Sequence, residues 1–122
     1  MRKIASILIA AVALGGAASA NDAVTQAEAV RGRALVEANC SSCHAIGVRG
    51  DSPARNAPAF RTISQTYPVA HLEEALAEGM SIGAEHELAA MAPRDVNAIV
   101  VYLETIQTSA TPQRRATPPA IG

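Results

Sequence analysis

The sequence contains two cysteines, which stand three positions apart and are followed directly by a histidine. They form the run Cys40, Ser41, Ser42, Cys43 and His44. At this spacing two thiols reach the two vinyl groups on one porphyrin edge, while the imidazole of the next residue lies beneath the iron. The run therefore predicts one covalently attached haem, held by Cys40 and Cys43, with His44 as an iron ligand.

Other uses of paired cysteines fit this chain less well. A thioredoxin-like dithiol accompanies alternating strands and helices, and the sequence shows no strand-period alternation. A structural zinc site needs further ligands, usually a second cysteine pair, and the chain has only two cysteines. A disulfide closing over Ser41 and Ser42 alone restricts the unfolded chain very little. The histidine after Cys43 favours haem over all three.

The first twenty residues have the three parts of a secretory signal peptide. Arg2 and Lys3 precede an apolar run, and small residues around Ala20 form a cleavage site. The apolar run is interrupted by serine and glycine and is shorter than the ~20 residues of a membrane span. The pattern predicts removal of residues 1–20, export to the periplasm, a mature chain starting at Asn21, and no stable membrane insertion after cleavage.

Composition limits the kind of fold and the kinds of partner expected for the residues after position 20. Residues 21–107 are predicted to form one domain, and residues 108–122, which lack core-forming side chains, a disordered tail. Aromatic residues make up 2% of the chain and tryptophan is absent, so a bound apolar cofactor would supply the missing core. After residue 20, eight arginines oppose eleven acidic residues, a net charge of −3. Nucleic acid is therefore not an expected partner.

Helical periodicity and turn residues predict an all-α fold, with three to four helices wrapped around one haem. Helices are expected over Thr25–Asn39, from Pro68 to Gly79 and from Pro93 onward, with a helical turn over 60–65. Residues 45–59 and 80–92 are predicted loops. The expected inward-facing residues are Ala27, Val30, Ala34, Leu35 and Ala38 in the first helix, Leu72, Ala75 and Leu76 in the second, and Val96, Ile99, Val100, Leu103 and Ile106 in the last.

Beyond the haem motif, the chain resembles the class I cytochromes c over nearly all of its length. Gly32 and Val36 precede the motif, and Tyr102 with Leu103 is similar to the segment of the final helix that the first helix crosses in that family. Residues 51–61, 67–69 and 74–79 are similar to small single-haem members from alphaproteobacteria. The resemblance implies the cytochrome c fold.

The resemblance also implies a function. Such a protein is a non-enzymatic electron carrier that cycles between Fe(II) and Fe(III), acts as a monomer and docks transiently with redox partner proteins. A haem-based gas sensor, a small peroxidase with an open sixth position, or a dedicated subunit of one enzyme complex are the alternatives. The Pro58 carbonyl is expected to accept a hydrogen bond from His44. Five arginines near the motif are interpreted as ordinary solvated charges, with a mildly positive docking rim as the alternative: Arg31, Arg33, Arg49, Arg55 and Arg61.

The sixth iron ligand is where the sequence departs from the family pattern. The family closes the far side of the haem with a methionine, often followed by proline, about sixteen or seventeen residues before the tyrosine that Tyr102 resembles; no Met-Pro pair occurs here. His86 lies sixteen residues before Tyr102, Met91 eleven and Met80 twenty-two. His86 is the favoured ligand, and Met91, Met80 or no ligand stay open. His71 is expected to face solvent.

Overall fold

The computed structural model describes residues 16, 19–81, 83 and 86–108 of the chain. Its α-helices are α1 (Ala20–Cys40), α2 (Leu72–Glu78) and α3 (Pro93–Ile106), accompanied by two 3-10 helices (Phe60–Gln65 and Val69–His71) and two short strands, β1 (Met80–Ser81) and β2 (Glu87–Leu88). The architecture is mainly helical, as predicted. Most of the predicted signal peptide and residues 109–122 of the predicted tail lie outside the described residues. Within the described part, no helix has both the length and the apolarity needed to cross a bilayer.

The core forms where α1 crosses α3, which we call the α1–α3 crossing. Gly32 of α1 is buried there, and a Cβ added to it would overlap the Ala98 carbonyl and lie 2.8 Å from the Tyr102 Cβ. One turn later, Val36 is fully buried, as is Leu103 of α3. The close crossing that the family resemblance implied is therefore confirmed.

The face that α1 buries differs from the predicted apolar stripe. Val30 is 67% exposed, and Ala27, Ala34 and Ala38 are also exposed, whereas the buried residues of the helix are Gly32 and Val36. Of the predicted stripe only Leu35 is half-buried. An alanine-rich helix has little contrast between its faces, so the residue that permits close backbone approach selects the contact face.

Helix α3 buries the stripe that its periodicity predicted. All five predicted residues are buried, together with Ala98 and Tyr102. Pro93 occupies the first turn, where its missing N–H costs no helical hydrogen bond. Asp95 lies in the same turn, near the positive end of the helix dipole, and forms an ion pair with Arg31 of α1. This pair ties the two helices beside their crossing.

The helix boundaries follow local chemistry. Helix α1 begins at Ala20 rather than at the predicted Thr25, and the Thr25 hydroxyl bonds to the Asn21 carbonyl at 2.9 Å. Asp22 in the first turn also favours this earlier start. The helical turn predicted over 60–65 is the 3-10 helix Phe60–Gln65. Helix α2 buries Leu76 and ends before Gly79, whose φ of 88° favours glycine.

The segment between α2 and α3, predicted to be a loop, contains a small antiparallel hairpin. Met80 pairs with Leu88 and Ser81 with Glu87. Strands of two residues are too short to show alternating polarity, which is why periodicity gave no sign of them. The Met91 N–H also bonds to the Leu76 carbonyl at 2.9 Å, so the hairpin is anchored against the end of α2.

The end of α3 is fixed to the 3-10 helix Phe60–Gln65. The Gln107 amide nitrogen donates to the Phe60 carbonyl at 2.9 Å, and its amide oxygen accepts from the Ser64 N–H at the same distance. Thr108, the first residue of the predicted tail, donates its N–H to the Arg61 carbonyl at 2.9 Å. The contacts of the domain therefore extend to Thr108.

Replacing Gly32 by alanine is predicted to destabilise the protein by at least about 2 kcal/mol, because the new methyl group would overlap backbone atoms that cannot move independently. Denaturant unfolding followed by circular dichroism measures the change. Gly47→Ala is the matched control, since a Cβ there meets no atom within 4 Å. Equal stability of the two variants would contradict the role assigned to Gly32.

Candidate haem-binding site

The end of α1 and the turn after it bring the two predicted thiols and the predicted histidine together. Cys40 is the last residue of α1, and its carbonyl accepts hydrogen bonds from the Cys43 N–H at 3.2 Å and the His44 N–H at 2.9 Å. Cys40 is half-buried and Cys43 exposed. Burial raises the pKa of the Cys40 thiol from 9.0 to about 11, so this thiol is neutral at physiological pH. One tight turn thus presents all three side chains.

The imidazole of His44 is oriented by a backbone carbonyl. Its Nδ1 lies 2.7 Å from the Pro58 oxygen. Because a carbonyl oxygen only accepts, Nδ1 must carry the proton, which leaves the Nε2 lone pair available to a metal. This hydrogen bond confirms the role predicted for Pro58. It also makes the ring a stronger ligand, because a hydrogen bond from Nδ1 raises the basicity of the other ring nitrogen.

A contact that the sequence analysis missed fixes the plane of the same ring. Phe60 stacks on His44 with ring centroids 4.4 Å apart and an interplanar angle of 28°. The Phe60 N–H also donates to the Ala45 carbonyl at 3.0 Å, which closes the loop after His44. The one sequence signal was that Phe60 is the sole phenylalanine of an aromatic-poor chain. Hydrogen bond and stacking together leave the imidazole little rotational freedom.

Side-chain hydrogen bonds from α3, from the 3-10 helix Phe60–Gln65 and from within the loop hold residues 45–59 in place. The Tyr102 hydroxyl of α3 donates to the Ile46 carbonyl at 2.7 Å. The Ser52 hydroxyl accepts from the Ala45 N–H at 2.9 Å, and Arg61 donates to the Gly50 carbonyl at 2.8 Å. Arg61 therefore stabilises the loop, whereas the sequence predicted a solvated charge. Arg31 is likewise engaged with Asp95, while Arg33, Arg49 and Arg55 are exposed, as expected of solvated charges.

The structure places His86 opposite the haem motif. Its ring centroid lies 5.9 Å from that of His44, and the two ring planes are nearly perpendicular, at 87°. His86 immediately precedes β2, so the hairpin carries it to this position. Among the described residues, its Nδ1 is one of two buried side-chain polar atoms without a hydrogen-bond partner. Two histidines distant in sequence therefore face each other.

The other candidate ligands occupy different positions. Met80 in β1 and Met91 before α3 are both half-buried against the hydrophobic core. The backbone of Met91 is bonded to α2 through Leu76. His71, expected to face solvent, is exposed.

The residues present fit a haem. Two thiols and an oriented imidazole would hold it, and the unpartnered nitrogen of His86 marks a buried polar group that still needs a partner. Half-buried apolar side chains pack on the core together with Cys40, and a porphyrin needs apolar surroundings of this kind: Leu35, Ile46, Phe60, Leu72 and Leu88. The donor set and the apolar side chains suit the same group.

A mainly helical fold with two thiols and a carbonyl-oriented histidine on one turn defines a c-type cytochrome. A family model described as Cytochrome c matches residues 29–107. The chain therefore belongs to the cytochrome c family, whose members bind haem c and transfer electrons through it. No curated protein and no solved structure matches the chain.

Tyr102→Phe is predicted to lower the free energy of unfolding of the haem-loaded protein by about 1 kcal/mol or slightly more, because the Ile46 carbonyl loses its donor. Equilibrium unfolding in guanidinium chloride measures this loss. Tyr67→Phe, which changes a largely exposed ring, should leave the midpoint unchanged. A Tyr102→Phe midpoint equal to that of the unaltered protein would show that the hydrogen bond contributes nothing to stability.

Proposed function

We propose that the chain is a periplasmic carrier of single electrons that binds one haem c. When bound, a haem would supply a reversible Fe(II)/Fe(III) couple, through which the protein would take one electron from a donor complex and pass it to a terminal acceptor. The observation that carries the proposal is the His44–Pro58 hydrogen bond on the turn that also presents Cys40 and Cys43. Membership of the cytochrome c family supports it independently.

Each residue of the motif has a distinct task in this function. Cys40 and Cys43 form thioether bonds, so the cofactor remains attached through repeated cycles. His44 would hold the iron through its free Nε2 lone pair, and the Pro58 hydrogen bond raises the basicity of its ring. Phe60 covers one face of the imidazole and keeps its orientation fixed. A ligand held in this way moves little when the iron changes charge, which favours rapid electron transfer.

The exposure pattern supports transient docking at the thioether edge. Cys43 is exposed, and Val48 in the following loop is 63% exposed beside the exposed Arg49. A small apolar surface with a polar margin suits brief encounters between redox proteins, whose interfaces are small and weak. We propose that the carrier works as a monomer and meets its partners through this edge.

Covalent attachment predicts a specific biochemical result. When the chain is produced together with a cytochrome c maturation system, haem staining should persist after denaturing electrophoresis, and redox titration should fit a one-electron transition. Cys40→Ser with Cys43→Ser should abolish the stained band. Ser42→Ala, which changes the intervening residue but no thiol, should retain it. A chain that matures fully yet carries no covalent haem would contradict the proposed function.

Export predicts a defined N-terminus. Mass spectrometry of the haem protein from the periplasmic fraction should show a chain that starts at Asn21, because small residues at positions 18 and 20 suit signal peptidase. Ala20→Arg should block cleavage and leave the precursor attached to the membrane. Recovery of the unprocessed chain in the cytoplasm would contradict the proposed location.

A further inference from the structure

We propose that His86 binds the haem iron opposite His44, so that two imidazoles close both axial positions. This inference rests on the proposed function, since it requires the haem held by Cys40, Cys43 and His44. It deepens that function in two ways: it excludes an open coordination site, and it implies a lower reduction potential than a histidine–methionine pair would give.

The separation of the two rings suits one shared metal ion. A histidine nitrogen binds a transition metal at about 2 Å, so two imidazoles on opposite sides of one ion have ring centres roughly 6 Å apart. The measured centroid distance between His44 and His86 is 5.9 Å. The rings thus have the spacing of an axial pair.

The polar atoms of the two rings support the same conclusion. On His44, the proton on Nδ1 is committed to Pro58, and Nε2 remains as a lone pair. On His86, Nδ1 is buried without a hydrogen-bond partner in the described part of the chain. Leaving such a nitrogen unsatisfied costs about 1–3 kcal/mol. No described group of the protein therefore engages this ring through a hydrogen bond at Nδ1, which is consistent with a ring whose position is set by another partner.

An edge-to-face aromatic contact would also place two rings at 87°, but it accounts for less of what is observed. One face of His44 is already covered by Phe60, 4.4 Å away, so the ring has an aromatic partner without His86. Coordination explains both the spacing and a polar ring at this apolar site.

Backbone contacts fix the position from which His86 reaches the site. The chain returning through β2 passes directly over Gly79, where an added Cβ would lie 2.9 Å from the Leu88 carbonyl and 3.0 Å from the Ala90 nitrogen. The Met80–Leu88 pair and the bond from Met91 to Leu76 hold the same segment. His86 is therefore carried directly before a segment that is anchored in β2 and in the residues that follow it.

In the same segment, Met80 and Met91 are interpreted as packing residues. Met80 and Met91 both contact the hydrophobic core, where a flexible thioether fills irregular space. Replacing either by leucine keeps the volume of the side chain and removes the sulfur. These two substitutions are consequently matched controls for any substitution of His86.

Two axial imidazoles give the carrier particular properties. A methionine opposite histidine raises the reduction potential of a haem, so the His86 assignment implies a lower potential than a His–Met cytochrome has. With both positions filled by the protein, carbon monoxide and other small molecules have no vacant site to enter. The chain would then transfer electrons without sensing gases or acting as a peroxidase.

The test uses the complete haem-loaded protein and its absorption spectra in both oxidation states, with and without carbon monoxide. The unaltered protein should be low-spin, lack the far-red band of thioether coordination, and fail to bind carbon monoxide at neutral pH. His86→Ala should lose the low-spin ferric spectrum and gain carbon monoxide binding. Free imidazole added to His86→Ala should restore the low-spin spectrum, which separates loss of a ligand from loss of the fold.

Further variants make the assignment specific. His86→Met should raise the midpoint potential and introduce the far-red band, because a thioether favours ferrous iron. Met91→Leu and Met80→Leu should keep the spectrum and the potential of the unaltered protein. An unchanged spectrum in His86→Ala would overturn the proposal, as would loss of the low-spin state in either methionine variant.

The proposed function can fail separately from this inference. Absence of covalent haem on denaturing electrophoresis would overturn the function and, with it, the axial assignment. Covalent haem with reversible one-electron chemistry, combined with an unaltered protein that binds carbon monoxide readily, would overturn the role of His86 alone.

Discussion

The contact of Gly32 with the backbone of α3 is the constraint on which the rest of the molecule depends. Only a residue without a side chain lets the helices approach so closely, and the crossing fixes where α1 ends relative to α3. Since Cys40 is the last residue of α1, this geometry also positions the haem motif. From the other side of the crossing, Tyr102 holds the loop after His44 by its hydroxyl. One small residue therefore sets the position of the turn that presents Cys40, Cys43 and His44.

The site combines a local part with a part assembled over long distances. The local part is the turn after α1, in which main-chain bonds to Cys40 bring the thiols and the histidine together. The distant part consists of Pro58, which orients the imidazole, and the hairpin, which carries His86 to within 5.9 Å of it. A covalent tether would suit this arrangement, because it would hold a cofactor at the local part independently of the distant part.

The parts of the fold that followed from the sequence are those in which one physical signal dominates. Helix α3 was predicted because strongly apolar side chains recur at its period, and Pro58 because the family resemblance extends to its surroundings. The buried face of α1 was mispredicted. Apolarity favours Val30 over Gly32 as a buried residue, but the packing of this helix is decided by the close backbone approach that Gly32 permits. The hairpin and the Phe60 stacking depend on tertiary contacts that no local pattern records. His86 was singled out by counting from Tyr102, and the three-dimensional structure supplied its orientation.

The packing of α1 on α3 also has consequences for how the chain folds. These helices lie at the two ends of the domain, and the ion pair between them joins residues 64 positions apart. A helical protein whose principal contact joins such distant residues must close a long loop before core burial can stabilise it. Folding rates fall as contacts become less local. The entropic cost of that closure grows only logarithmically with length, by about 0.6 kcal/mol for each doubling. The loop-closure entropy alone therefore makes a change in the length of the segment between the helices inexpensive, so the constraint on this segment comes from its contacts with α1 and α3.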